Sequence, residues 1–462
     1  MTDYEGYLGY SSRVQLCPNV QIIDDPPHSI FFSPCNHRWV KVNADGRRVL
    51  ESFRDEQVLG EWFAKHVGNN SGDEINARLM HFISTQVTNG ILQVDGFTPM
   101  VDWKSAIDPP NLQKVYMEVT DLCNLKCHYC YNAWSRQRSQ KQQRRRMSES
   151  DWYRLVAELS TMGVQEVVIT GGEPLLCKWV TDLALHTRQS GIKTTLLTNG
   201  TLIDSDLAYQ LVGSFDRVNV SLDSSIEVRH DFGRGEGSFR KVIKGINALK
   251  QAGHNAIIIK PVLARHNLEG FADLPRFVRE ELNCFLYTPT LCLPFRAPDG
   301  SIDKSFTPEL EDILEALDAF SANYERYYPV AERPPVQIGP HVSCGLGKRI
   351  LSVDSHGDVY PCQSLHEPDL VCGNLFNSGS ISDIHNNSDL IRHLAELSVF
   401  DVQTCGQCPW ALLCSGGCRA FAFRIYNDLK AFNEEFCDVL LESAKRRLVQ
   451  FARICEMTNI TN

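Results

Sequence analysis

The chain has 462 residues, enough for roughly two to four domains at about 100–200 residues each. A formal charge of −10 argues against a nucleic-acid partner, and 43% hydrophobic with 22% charged residues is ordinary for soluble globular proteins. The opening MTDYEGYLGY lacks the apolar core of a secretion signal, and no apolar run approaches the ~18 residues that span a bilayer. A soluble, cytoplasmic protein with no membrane partner is expected. In that reducing compartment its 17 cysteines point to metal rather than to disulfides.

In chain order, residues 1–105 read as a small α+β unit. Short β-rich runs at VQIID (20–24), SIFFS (29–33) and WVKVN (39–43) are broken by the turn signals PP and PCN. Helical periodicities follow in RRVLESF, EQVLGEWFAKHV and INARLMHFISTQVTNGIL. The proline-bearing stretch 95–111 reads as a linker.

From 112 to 330 strand and helix alternate. Candidate strands are VYMEVT (115–120), EVVIT (166–170), TTLLT (194–198), RVNVSLD (217–223), AIIIKPVL (256–263) and CFLYTP (284–289), with helical stretches such as SESDWYRLVAELSTMG between them. That order implies parallel pairing with right-handed crossovers. Six repeats suggest an α/β fold, a partial (β/α)6 barrel, whose site lies at the C-terminal ends of the strands. The basic run RSQKQQRRR (138–146) reads first as a solvated face, with guidance of a peptide substrate as the sharper alternative. Residues 340–440 are cysteine-rich and short on regular structure, with VYPC (359–362) as a hairpin arm after SHGD. Beyond them, the tail 441–462 belongs to an amphipathic helix that begins near 430.

The cysteines divide unevenly. Cys123, Cys127 and Cys130 lie in CNLKCHYC, directly after the first barrel strand. A structural zinc site wants four ligands and a disulfide framework an even number, whereas three thiolates from one tight loop suit a cubane iron–sulfur cluster with one iron left free. Cys344, Cys362, Cys405, Cys408, Cys414, Cys418 and Cys437 form the second group, and the run CGQCPWALLCSGGC (405–418) is glycine-rich enough to wrap an inorganic core. Zinc is the competing reading for its C-x-x-C pair. The other seven cysteines read as small buried hydrophobes, with Cys372 kept open as a further ligand.

Polar groups fall at successive strand ends. Gly171 and Gly172 in TGGEPLL allow close backbone approach, and Glu173 could accept hydrogen bonds from an ammonium group. Asn199, Ser221 and Asp223 stand where a carboxylate or ribose hydroxyls could be met, and Arg234 is a possible carboxylate partner.

With C-x3-C-x2-C at 123–130, the aromatic Tyr129 before its third cysteine, and GGEP at 171–174, the stretch 114–330 resembles the radical S-adenosylmethionine (SAM) enzymes. The resemblance implies that Cys123, Cys127 and Cys130 hold a [4Fe–4S] cluster whose unique iron chelates the amine and carboxylate of SAM. One electron then cleaves the sulfonium to give a 5′-deoxyadenosyl radical that abstracts hydrogen from an unactivated C–H bond. It also places Tyr129 near the adenine, Gly171, Gly172 and Glu173 near the amine, and Ser221 and Arg234 near the ribose and carboxylate. A flavodoxin- or ferredoxin-type electron donor is implied.

The C-terminal cysteines resemble the SPASM extension of that superfamily, in the order C…G-x4-C…C-x2-C-x5-C-x3-C…C, with Gly357 to Cys362 and 405–418 in register. This implies two auxiliary [4Fe–4S] clusters, three in all. Cys405, Cys408, Cys414 and Cys437 would hold one, and Cys344, Cys362 and Cys418 the other. The second set leaves one iron for Cys372 or for substrate. Residues 1–105 resemble the precursor-recognition module of peptide-modifying pathways, similar to the peptide chaperone of pyrroloquinoline quinone biosynthesis, with a plain winged-helix-like domain as the alternative. In that module a leader peptide would add a strand to an edge within 20–43.

Together these imply a sactisynthase-like maturase of ribosomally made peptides that forms a thioether or a carbon–carbon cross-link. A formylglycine-generating, sulfatase-maturating enzyme is the second expectation. Gln363 counts against it, because that type carries an aspartate after the G-x4-C cysteine. The third is an iron–sulfur electron carrier without catalysis.

Overall fold

The computed structural model describes residues 8–458 apart from 68–72, 98–100, 102, 104–110, 131, 133–143, 288, 293, 297–300, 330–339 and 433. The expected linker at 95–111 and most of the basic run at 138–146 therefore lie outside the described residues.

The N-terminal unit holds two small antiparallel sheets and three helices. Strands β2 (Gln21–Asp25), β3 (His28–Ser33) and β4 (Arg38–Val42) form a meander in that order, near the expected runs. Helices α1 (Ala44–Glu51), α2 (Leu59–His66) and α3 (Asp73–Thr88) follow. The sequence reading lacked a second sheet, in which β1 (Arg13–Leu16) pairs with β5 (Gln57–Val58) and β6 (Leu92–Val94). Ile91 and Leu92 of NGIL therefore leave the helix: Gly90 takes φ +63° and turns the chain into β6.

Period-two alternation sorts the meander's side chains. Phe31 and Val42 face the unit's own core, while Ile30, Phe32 and Trp39 pack on Trp410, Leu413 and the C-terminal helix residues Ala444, Leu448 and Ala452. Phe32 stacks on Trp410 at 5.4 Å and 3° from parallel. Buried Asp25 meets Lys41 at 3.1 Å and Arg453 of the C-terminal helix at 2.6 Å. The N-terminal unit is thus locked onto the cysteine-rich module.

The central sheet has nine strands in the order β13-β11-β10-β9-β8-β7-β17-β18-β19. Six of them are the expected parallel barrel strands: β7 (Lys114–Glu118), β8 (Glu166–Thr170), β9 (Lys193–Thr198), β10 (Arg217–Val220), β11 (Ile257–Ile259) and β13 (Phe285–Leu286). AIIIKPVL breaks at Pro261, which has no N–H to give the ladder, and resumes as β12 (Val262–Leu263) beside β14 (Thr290–Leu291). A short hairpin, β15 (Phe295–Arg296) and β16 (Ile302–Asp303), follows. Val115, Met117 and Val119 alternate with Tyr116 and Glu118, and the first set packs under Trp152, Leu155, Val156 and Leu159 of α4 (Glu149–Thr161). Those four sit at helical spacing, and α4 begins with a capping box: Ser148 Oγ accepts from Asp151 N, and the Asp151 carboxylate accepts from Ser148 N at 2.8 Å.

The cysteine-rich module is not a separate sheet. β17 (Ile350–Val353) adds in parallel to the free edge of β7, and the expected hairpin arm β18 (Asp358–Tyr360) and then β19 (Gly373–Asn374) extend it antiparallel. The helix Cys437–Thr458 runs across the domain boundary expected at 440. The described end of the basic run, Arg144 to Arg146, is exposed as a solvated face would be, yet each side chain has a partner. Arg144 makes a fork on Asp358 at 2.7 and 2.9 Å, Arg146 pairs with Asp121, and Arg145 lies 3.9 Å from the centre of the Phe376 ring. Arg144 and Arg145 bolt the barrel to the module, while Arg146 ties the run to the barrel's own rim. Among the described residues no helix is long and apolar enough to cross a membrane.

Candidate active site and auxiliary cysteine groups

Four neighbouring parallel strands deliver the predicted groups to one rim. The Cys123–Cys130 loop follows β7, Gly171 to Glu173 follow β8, Asn199 follows β9, and Ser221 to Asp223 follow β10. Ladder-like bonds continue past the strands: Gly172 N donates to Thr120 O at 2.7 Å, Glu173 N to Leu122 O at 2.8 Å and Ser221 N to Thr198 O at 3.0 Å. Glycine is required here. A Cβ on Gly172 would stand 2.0 Å from Leu122 O and 3.1 Å from Cys123 Cβ, and Gly171, at φ +138°, presses on Thr120 O.

Cys123, Cys127 and Cys130 are half-buried. Burial pushes the Cys127 thiol up to about 11, partly offset by Arg234. Leu125 N donates to Cys123 Sγ at 3.4 Å, and His128 N to Gly233 O at 3.0 Å, which ties the loop to α5 (Glu227–Arg234). Neutral thiols in a desolvated loop are the state a thiophilic cation displaces, so this donor set fits an iron–sulfur cluster. Among the described residues no three His, Cys, Asp or Glu side chains converge tightly enough for a single metal ion. A cubane's thiolates reach separate corners and are spaced more widely.

Glu173 is fully buried, and burial raises its carboxyl to about 7 against bonds from Asn199 N, Thr198 Oγ1 and Leu175 N. Its oxygens face the protein, at 2.8 Å from Thr198 Oγ1 and Asn199 N and 3.1 Å from Leu175 N. It clamps the β8 and β9 ends together and differs from the open acceptor expected. Asn199 donates to Asn124 Oδ1 at 2.9 Å and stands 4.0 Å from Cys123 Sγ.

Asp223 and Arg234 pair with each other, which corrects the reading of both as open groups. The carboxylate accepts from Arg234 Nε, from Arg234 Nη2 at 3.0 Å, from Tyr129 OH and from Val262 N at 2.8 Å. Asp223 is fully buried and Arg234 nearly so. Burial would raise the Asp223 carboxyl, and Arg234 holds it below the usual range. Tyr129 is thereby fixed by its hydroxyl, beneath a ring stack with His266 at 5.4 Å. Half-buried Ser221 stays in place on the rim.

Sequence reasoning missed the aromatic group around Tyr129. His128 stacks on Phe306 at 5.3 Å, Phe232 sits 5.4 Å from His266, and both His266 ring nitrogens are buried with no hydrogen-bond partner among the described residues. No motif marks residues this scattered. Of these residues only His128 lies within a motif, CNLKCHYC.

The C-terminal cysteines act as electrostatic neighbours of one another. Burial raises Cys405 to about 11, with Cys414, Cys408 and Cys437 as charged neighbours. It raises Cys362 to about 12, with Cys418 and Cys344 beside it and Ser364 N donating to its sulfur at 3.5 Å. Cys372 joins neither set. Burial alone pushes its thiol up to about 12, its Sγ points to Leu370 O at 3.8 Å, and it packs in the barrel core.

A strand-end rim with three thiols and a second thiol-rich module on the same sheet define an iron–sulfur enzyme class built on a partial α/β barrel. The radical SAM superfamily matches residues 117–278, and the SPASM iron–sulfur cluster-binding domain matches 344–409. Residues 117–278 thus form a radical SAM domain and residues 344–409 a SPASM domain. The chain is 26% identical over 317 residues to mycofactocin maturase MftC of Mycolicibacterium smegmatis, spanning 66% of this chain and 78% of that protein. To the PqqA peptide cyclase of Granulibacter bethesdensis it is 24% identical over 345 residues, spanning 70% and 86%. Its fold is similar to SAM-bound SuiB of Streptococcus suis (TM-score 0.55, 16% identity, 92% of this chain and 99% of that one). It is also similar to AdoMet-bound anSMEcpe (TM-score 0.56, 20% identity, 75% and 99%).

Proposed function

We propose that the protein is a cytoplasmic maturase that binds a ribosomally made precursor peptide through its leader and modifies the core by C–H activation. In this reading Cys123, Cys127 and Cys130 hold the SAM-binding [4Fe–4S] cluster, and SAM bound there supplies the 5′-deoxyadenosyl radical. Gly171 and Gly172 leave room for the bound methionyl group, and Tyr129, locked by Asp223 and Arg234, walls the nucleoside side. Glu173 and Asn199 hold the rim's backbone, and Ser221 offers a hydroxyl to the ribose. Cys405, Cys408, Cys414 and Cys437 hold one auxiliary [4Fe–4S] cluster, and Cys344, Cys362 and Cys418 the other, which keeps an iron open because Cys372 points elsewhere. A flavodoxin- or ferredoxin-type protein supplies electrons.

The observation that carries the peptide reading is the N-terminal unit, residues 1–105, seated on the cysteine-rich module through Phe32, Trp410 and the Asp25–Arg453 pair. A leader paired along the edge of its meander is held against the module rather than on a loose tether. Two relatives are named as a maturase and a peptide cyclase, in line with this. The open iron favours a thioether from a cysteine to an α carbon over a carbon–carbon link.

The test is mass spectrometry of a precursor peptide encoded beside the gene and co-expressed with the protein. Loss of two hydrogens with no free aldehyde is expected. An unmodified peptide overturns the reading, and an aldehyde-reactive product supports formylglycine formation instead. The similarity to anSMEcpe keeps that second reading in view. Gln363 opposes it, since an amide cannot take up the proton an aspartate would.

A further inference from the structure

One cation in the module has no role in the site described so far. Arg419 follows Cys418 directly and is 5% exposed. Burying a guanidinium in a region of so little regular structure is costly unless anions or acceptors meet it. Part of that need is met by main-chain carbonyls. Nη1 donates to Leu429 O at 3.1 Å and Ala431 O at 3.2 Å, and Nη2 donates to Gly416 O. The Nε hydrogen is buried and has no partner among the described residues. No carboxylate is paired with Arg419 among the described ion pairs.

What surrounds it instead is sulfur, from both auxiliary sets. Ser415, Gly416 and Gly417 run through three successive left-handed conformations, at φ +61°, +66° and +79°. This turn brings the Gly416 carbonyl onto Arg419 Nη2. A Cβ built on Gly416 would lie 3.6 Å from both Arg419 Nη2 and Cys405 Sγ, so the guanidinium and a sulfur of the second set flank the same glycine. Burial weakens the arginine's basicity, and Cys344, Cys405, Cys418 and Cys414 oppose this in turn. Cys344 and Cys418 belong to one set, Cys405 and Cys414 to the other.

We propose that Arg419 is a shared counter-ion of the two auxiliary clusters, its buried charge and unpartnered Nε–H serving to hold both at potentials an electron can reach. This rests on the cluster assignment proposed above. A thiolate-ligated [4Fe–4S] core is anionic, and taking up one electron adds a further negative charge. A fixed cation or an N–H donor at its sulfurs stabilises the reduced state and raises the potential. One arginine between two such cores does so for each. Arg419 acts through the clusters and is a positioning residue, not a catalytic one.

The experiment is an EPR-monitored redox titration with iron analysis on the anaerobically reconstituted full chain, comparing wild type, Arg419→Gln and Arg419→Lys. Both auxiliary signals should move to more negative potential in Arg419→Gln, the SAM-cluster signal should stay in place, and Arg419→Lys should fall between Arg419→Gln and wild type. Loss of auxiliary iron in Arg419→Gln but not in Arg419→Lys also supports the charge. The proposal is overturned if Arg419→Gln keeps its iron with unmoved potentials, if only one auxiliary signal moves, or if both variants lose iron or shift equally. In the last case the carbonyl contacts, not the charge, are what matter. Wild-type protein that takes up no auxiliary iron would instead refute the cluster assignment itself.

Discussion

On the barrel rim, Cys123, Cys127 and Cys130 hang from the end of a parallel strand, and backbone bonds from Gly172, Glu173 and Ser221 carry the sheet's order past the strands to the loop. In the C-terminal module, Cys405, Cys408, Cys414 and Cys418 lie on short turns around a run of left-handed residues. The rim is framed by groups that exist without metal: the Glu173 clamp and the Asp223–Arg234–Tyr129 network. The module's strands β17 to β19 share the central sheet, but around its thiols the described residues supply one buried arginine and small apolar clusters. A site made for chemistry is held by the fold, while the supporting sites lean on their own inorganic cores for structure.

This contrast can be broken experimentally. Removing iron with a chelator under reducing conditions should cost the module far more than the rim, since a structural metal contributes on the order of 10 kcal/mol to a small site. Hydrogen exchange should report lost protection over 400–440 with β7 to β10 and β17 kept, and a uniform loss across the chain would contradict the contrast.

Smaller effects sharpen it. Asp223→Asn strips the buried Arg234 of its carboxylate, and breaking such a pair costs about 3–5 kcal/mol. Denaturant unfolding of the barrel should show that loss, together with weakened SAM binding. A change under 1 kcal/mol would mean the network is not what frames Tyr129. Gly172→Ala drives a Cβ into Leu122 O and should cost at the upper end of about 1–3 kcal/mol, with four-iron occupancy of the rim loop reduced. Full occupancy would show that the glycine is dispensable.

The smallest effect is a pH dependence. Glu173 has a folded-state pKa of about 7 against an ordinary value of 4.5, so the folded chain binds this proton more tightly than the unfolded one. Its contribution is fully present below pH 4.5 and declines as pH rises through 7. In apo-protein, the stability of wild type relative to Glu173→Gln should therefore fall between those limits. A flat difference would place the carboxyl in a more open setting.

Much of this was legible in the sequence because its signals are local. EVVIT is observed over the same five residues, and the others shift by a few, since apolar alternation and glycine-bearing ends mark strands without help from afar. The cysteine spacings likewise mark seven C-terminal thiols, and the SPASM resemblance divides them into two sets. What stayed hidden depends on partners distant in the chain. β17 adds to β7 across more than two hundred residues, Arg234 closes on Asp223 rather than on a ligand, and His266 reaches Tyr129 from another loop. β1 and β5, at four and two residues, are too short to carry a period.

The central claim is that CNLKCHYC holds the radical-generating cluster. It is tested most directly by iron content and 5′-deoxyadenosine release on anaerobically reconstituted protein, beside the Cys123→Ala, Cys127→Ala, Cys130→Ala triple variant. The account predicts about twelve irons in wild type, the sum of three [4Fe–4S] clusters, with deoxyadenosine released under reductant. The variant should lose about four irons and all turnover. A variant that keeps its iron and still cleaves SAM, or a wild type that leaves SAM untouched under strong reductant, would contradict it.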